Sequence, residues 1–187
     1  GETSASSGTN SISFGTLSEG SYSCTITVTD TAGNASSALS VNTFVIDTTA
    51  PSISQVTAVT TPTKDNTPGY AFSSNQAGTI SYGGSCSSGS TSASSGTNSI
   101  SFNTLSESSY SNCTITVTDS AGNASTALSV NTFVVDTTAP SLSQATAVTT
   151  PTNSTTPTYV FSSDEAGTIT YGGSCSSSTS SASSGNN

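Results

Sequence analysis

Residues 24–29 read Cys24-Thr25-Ile26-Thr27-Val28-Thr29, and residues 113–118 repeat them letter for letter as Cys113-Thr114-Ile115-Thr116-Val117-Thr118. Apolar and polar side chains alternate at every step, the period of two that sends one face of a strand into a core and the other into water. Threonine, valine and isoleucine are also the residues that a pleated, half-buried surface accommodates best. No window of the chain places apolar residues at helical spacing, so the expectation is an all-β protein. The outward row Thr25, Thr27 and Thr29 is ordinary solvent-facing threonine by the same propensity, and one such row per repeat is thin support for an ice-ordering face.

Outward from this stretch the whole chain repeats. Asp47-Thr48-Thr49-Ala50-Pro51 recurs as Asp136-Thr137-Thr138-Ala139-Pro140, an offset of 136 − 47 = 89 residues, and Cys86 and Cys175 share it. The earlier part matches at an offset of 102 − 14 = 88 (Phe14 with Phe102) until Asn112, a one-residue insertion, restores 89 at Cys24 and Cys113. A period of this length marks a modular array. Asp-Thr-Thr-Ala-Pro reads as a short extended linker, because proline drives the preceding residue out of the helical region and opens the next strand. The expected units are residues 1–46, the C-terminal half of a module; 47–135, a complete module; and 136–187, the N-terminal half of another. Gly1 aligns with Gly89 and Asn187 with Asn98, so the two halves overlap and together amount to one more module. Half a sandwich would leave an apolar face and open strand edges in water, so each half is expected to be completed by adjoining polypeptide. That polypeptide is either the continuation of a longer tandem array or the next copy, joined head to tail.

Within the complete module, strands are predicted near residues 53–60, 68–73, 79–82, 98–102, 109–118 and 127–135. Six or seven short strands with turn residues between them give the pattern of an immunoglobulin-like β-sandwich. The predicted core is Ile53, Val56, Tyr70, Phe72, Ile80, Tyr82, Ile100, Phe102, Leu105, Ile115, Val117, Leu128, Val130 and Phe133. Residues 83–95 hold only Gly, Ser, Thr, Ala and one Cys, and read as a long loop pinned at Cys86 or as a stretch for O-linked glycan.

Charge excludes several functions. Only 6% of the 187 residues are charged and the net charge is −9, with Lys64 the single cation and no histidine. Such a chain cannot neutralise a row of phosphates or dock on an anionic bilayer, so neither nucleic acid nor direct membrane insertion is expected. Without histidine, the commonest activating base is missing, and an enzyme is not expected. No run of residues is apolar and long enough to span a bilayer.

Four cysteines at the repeat spacing, with no histidine, read as a disulfide framework in an oxidising compartment, outside the cell or on its surface. Cys113 shares parity with Ile115 and Val117 and points inward, and its expected partner is Cys86, one disulfide per module. Cys24 and Cys175 lack a partner in their own halves, so the expected pairing is Cys175 with Cys24 of the adjoining copy. Tyr22, two residues before Cys24, is placed for a tyrosine corner, in which the hydroxyl bonds back to nearby main chain. Asn112 breaks that spacing at Tyr110, and a β-bulge is expected there.

Val28-Thr29-Asp30-Thr31-Ala32-Gly33-Asn34 followed by Phe44-Val45-Ile46-Asp47-Thr48-Thr49-Ala50-Pro51, and the copies at 117–123 and 133–140, resemble the tandem bacterial immunoglobulin-like repeats of giant surface adhesins. The resemblance implies a cell-surface or secreted rod. It also implies calcium at junction aspartates, whose matching positions are Asp30, Asp47, Asp119 and Asp136, with Asp164 and Glu165 near the last. Two departures stand out: a cysteine pair in each module, and fewer acidic residues than calcium-stiffened members carry. Asp-x-Ala-Gly-Asn is equally a hairpin loop in which Asp binds its own backbone, and that reading needs no cofactor. Glycosylation sequons fall at Asn34, Asn112, Asn123 and Asn153. The function expected is a structural filament or stalk with itself as partner; the alternative is an adhesin module recognising glycan or another cell surface.

Overall fold

The alternation in Thr114–Thr118 does what it predicts: Ile115 and Val117 are fully buried while the threonines between them are half-buried on the opposite face. The computed structural model describes residues 4–187, so the alignment of Gly1 with Gly89 lies outside the described residues. No helix occurs among the described residues, and the chain divides into two units, Gly1–Val135 and Asp136–Asn187.

In the first unit β1 (Gly20–Tyr22), β2 (Thr25–Ile26), β3 (Leu39–Ser40) and β4 (Phe44–Ile46) make one interrupted hairpin, β1 pairing with β4 and β2 with β3. After the linker come β5 (Ile53–Thr57), β6 (Gly69–Ser74), β7 (Gly78–Gly83), β8 (Ser92–Ala93), β9 (Gly96–Ser101), β10 (Ser108–Tyr110), β11 (Thr114–Thr118), β12 (Leu128–Ser129) and β13 (Phe133–Val135). One sheet runs β5-β6-β9 and the other β12-β11-β7-β8, with β10 and β13 extending the last hairpin and every ladder antiparallel. A parallel bridge from Thr63 to Val135 joins the stretch after β5 to that hairpin. This is an immunoglobulin-like β-sandwich, all-β as the sequence requires.

The core lies between these sheets. Tyr70, Phe102, Phe133 and Tyr110 stack in sequence at centroid distances of 6.2, 6.1 and 5.2 Å. Phe72, Ile115, Val117, Phe133 and Val135 are sealed from solvent, each such side chain contributing about 1.5–3 kcal/mol relative to exposure. Ten of the fourteen predicted core residues are buried and Ile53, Tyr82 and Leu128 pack partly buried against them, but Val56 is a correction: it is exposed. The register slips between Gln55 and Thr57, so Val56 is the extra residue of a bulge with no partner opposite, and Val59 fills the core instead.

Two predicted strands each divide in two. Residues 109–118 break at 111–113 into β10 and β11, and residues 127–135 break into β12 and β13. Tyr110 and Cys113 are both buried although three apart, which a continuous pleat forbids, and the chain resolves the conflict by interrupting the ladder. The first copy breaks in the same place, after Tyr22, without an insertion, so Asn112 widens an existing interruption. Residues 83–95 are also more ordered than a pinned loop: β8 lies within them, pairing Gly78 with Ala93 and Thr79 with Ser92.

In the second unit β14 (Leu142–Thr146), β15 (Val160–Ser163), β16 (Gly167–Thr168), β17 (Ser181–Ala182) and β18 (Gly185–Asn186) repeat the start of the sandwich. β14-β15-β18 form one sheet and β16-β17 another, with the same bulge, here between Gln144 and Thr146.

Candidate functional site

Cys86, in the loop after β7, and Cys113, at the entry to β11, are joined by a disulfide with Cα atoms 5.2 Å apart, and both are buried. A bridge that closes a 27-residue separation contributes about 3–4 kcal/mol in the chain-entropy account. Cys24 and Cys175, their counterparts in the flanking repeats, are free thiols, the first half-exposed and the second exposed.

Both tyrosines before the second cysteine make the corner. Tyr22 Oη donates to the Ser18 carbonyl at 2.7 Å and Tyr110 Oη to the Ser106 carbonyl at 2.9 Å, each four residues upstream. The spacing to cysteine therefore does not decide the corner; the spacing to the serine carbonyl does.

The Asp-x-Ala-Gly-Asn loops are built alike. Asp119 Oδ1 accepts from the backbone N–H of Ala121 and Asn123 at 2.9 and 2.8 Å, and its Oδ2 accepts from Asn123 Nδ2 at 2.9 Å. Asp30 accepts from Ala32, Asn34 and the Asn34 amide at the same distances. The asparagine amides, helped by the backbone donors, hold both carboxyls below the usual carboxylate range. Gly33 and Gly122 close the loops at φ of 90° and 95°, which glycine adopts without penalty.

At the junction, the linker after β4 is held from both sides. Glu19 accepts from Thr49 Oγ1 at 2.6 Å and Thr48 Oγ1 at 3.1 Å, and these bonds hold its pKa below the usual glutamate value. From the following module, Asn123 Nδ2 donates to the Asp47 carbonyl at 3.0 Å and Gln76 Nε2 to the Thr49 carbonyl at 3.3 Å. Asp47 and Asp119 are thus brought to one end of the module, but through a main-chain carbonyl and a shared amide. Among the described residues no three of His, Cys, Asp and Glu come together as a metal site would need. Asp136 and Asp164 cap their own neighbours, accepting from Thr138 N at 3.2 Å and Ser141 N at 2.7 Å, and Glu165 offers its carbonyl to Ser163 Oγ. The Asp30 and Asp119 carboxylates make the turn bonds that the Asp-x-Ala-Gly-Asn motif calls for.

The sequons differ in availability. Asn34 and Asn123 spend their amides on the loops just described, Asn112 Oδ1 accepts from Ser85 N at 3.2 Å, and Asn153 is exposed.

Several repeats of core residues are left in water in the flanking segments. Phe14 is 45% exposed where Phe102 is 2%, Val28 is 48% where Val117 is 0%, and Tyr159 is 50% where Tyr70 is 2%. Ile12, Leu39, Leu142, Val148 and Tyr171 are exposed as well. These flanking residues occupy repeat positions whose counterparts the middle module buries wholly or in part.

Residues 9–74 match the family of bacterial Ig-like domains (group 3). No curated protein and no solved structure matches the chain. The family match crosses the linker, whereas the buried core gathers between Val59 and Val135, so the matched window is out of phase with the folded unit. The likeness supports an Ig-like repeat family. With the sandwich and its disulfide, it marks a structural or adhesion-type module suited to an extracellular or surface setting.

Sequence reading missed Glu19, Gln76 and the linker role of Asn123. Only the recurrence of Glu19 as Glu107 and of Asn34 as Asn123 offered a signal.

Proposed function

We propose that the chain is a structural repeat protein of the cell exterior, forming a stalk or filament from Ig-like modules stacked end to end. Each half-module at the flanks is completed by adjoining polypeptide, the front half of one repeat closing on the back half of the next. The observation that carries this reading is the exposure of Phe14, Val28 and Tyr159 at positions equivalent to the buried Phe102, Val117 and Tyr70. Apolar patches of this kind mark association surfaces, and the clamped Pro-containing linker fixes the angle between successive modules. Near-identity of the copies favours a structural role, since a dedicated site needs only one module to be special.

Electron microscopy of the purified chain tests the reading. Beaded fibres with a spacing of about 35–45 Å per module are expected from the strand lengths and size of such a domain. Isolated particles at every concentration, with specific micromolar binding on a glycan array, would replace it with the adhesin reading.

A further inference from the structure

The tyrosine corner and the linker meet at one residue. The register pairs Gly20 with Ile46, so Glu19, just before β1, comes level with Asp47, just after β4. The Glu19 carboxylate accepts both linker hydroxyls on the same oxygen, Thr49 at 2.6 Å and Thr48 at 3.1 Å. Bonds to an ionised acceptor are the strong ones. Tyr22 holds the turn that carries this carboxylate. Its hydroxyl donates to the carbonyl of Ser18, the residue before Glu19, while its ring stacks on Phe44 of β4 at 5.6 Å. The corner thereby ties Glu19 to both strands of the hairpin.

On its far side the linker belongs to the module it enters, through the amides of Asn123 and Gln76 on the Asp47 and Thr49 carbonyls. Asp47 also accepts from the Thr49 backbone N–H at 3.0 Å, which keeps the linker folded on itself. Glu19, Asp47, Thr49 and Gln76 line one surface cleft. The two parts recur together in the sequence. Leu17-Ser18-Glu19 and Tyr22 return as Leu105-Ser106-Glu107 and Tyr110, and Thr48-Thr49 as Thr137-Thr138. Tyr110 makes the same corner bond, to the Ser106 carbonyl at 2.9 Å.

We propose that the tyrosine corner and Glu19 form a catch that fixes the angle between the β1–β4 hairpin and the module after it, with hydrogen bonds and no metal ion in the joint. Adjoining domains swing against each other unless their contact prevents it, and here the contact is the pair of threonine hydroxyls seated on Glu19. Tyr22 makes no hydrogen bond to the linker, so it acts through Glu19 as a positioning residue. All of these bonds lie within one chain, and the catch stands or falls independently of any assembly the chain enters.

Backbone amide NMR relaxation of the full chain tests this by comparing the tumbling of β1 and β4 with that of β6 and β11. In the wild type the two sets share one correlation time. In Glu19→Ala the hairpin amides tumble faster than those of the module, while the cross-strand contact of Ser21 with Val45 persists. Thr49→Val loosens the joint more than Thr48→Val, in the order of the two distances. Tyr22→Phe loosens it as well, and Tyr110→Phe, the same corner one repeat later, leaves it unchanged. The double variant Glu19→Ala with Tyr22→Phe is no looser than Glu19→Ala, because both changes act on one contact. Calcium chloride, and EDTA after it, leave the wild-type correlation times where they were.

Separate tumbling in the wild type, or an unaltered joint in both Glu19→Ala and Thr49→Val, overturns the catch. A double variant looser than Glu19→Ala, or loss of the Ser21 to Val45 contact in Tyr22→Phe, overturns the positioning role of Tyr22. Stiffening by calcium that EDTA reverses overturns the metal-free joint.

Discussion

The side-chain amide of Asn123 reaches the main-chain carbonyl of Asp47, 76 residues earlier, at 3.0 Å. The same nitrogen bonds Asp119, so one asparagine fastens both its own loop and the linker that enters the module. Asn34, its repeat, bonds only within its loop and is exposed. Asn123→Ala is expected to cost about 1–3 kcal/mol, because it leaves half-buried acceptors unpaired, and Asn34→Ala well under about 1 kcal/mol. Urea unfolding of the two variants of the full chain measures the difference.

Acid weakens the fold through the two loop aspartates. Asp30 and Asp119 are held below their ordinary value of 3.8 by the asparagine amides first and backbone donors next. A carboxyl whose folded-state pKa is depressed stabilises fully above its unfolded pKa, and that contribution disappears as pH falls through the folded one. The melting temperature is expected to hold from pH 7 to about 5 and to drop below about 4, with a shallower drop in Asp119→Asn. Thermal melts across that range check both the sign and the residue.

Phe102 and Phe14 are the same residue of the repeat in opposite circumstances. Phe102→Ala opens a cavity beside Tyr70 and Phe133 and is expected to cost about 3–5 kcal/mol. Phe14→Ala removes a side chain that is 45% exposed and is expected to cost about 1 kcal/mol or less in dilute solution, while weakening self-association at high concentration. Denaturation and sedimentation of each variant separate the two effects.

Gly84 and Gly173 share a left-handed backbone, at φ of 74° and 70°, but not their surroundings. A Cβ on Gly84 would collide with the Asn112 carbonyl, whereas nothing stands near Gly173. Gly173→Ala should lose about 1 kcal/mol from backbone strain alone, and Gly84→Ala distinctly more, since the residue it strikes is main chain and cannot turn away. Comparative melts decide it.

The β character and most of the core were legible because a period of two admits one physical solution: Ile115 and Val117 had to face inward together. Val56 was not, since a bulge shifts parity without altering composition. The strand within residues 83–95 was hidden for the opposite reason, as serine and alanine carry almost no apolar alternation to read. The corner tyrosines were legible from one motif, but the second depends on Ser106 rather than on the distance to cysteine. The linker clamp was illegible: it rests on an amide meeting a main-chain carbonyl far away in sequence, and no local pattern encodes such a meeting.

The bridge between Cys86 and Cys113 also governs how far a module can lengthen under tension. Stretched between Asp47 and Val135, the chain can pay out the residues on either side of the bridge, but the 27-residue separation it closes stays shut. At about 3.4 Å per extended residue, roughly 90 Å of contour is withheld from each opened module until a reductant arrives.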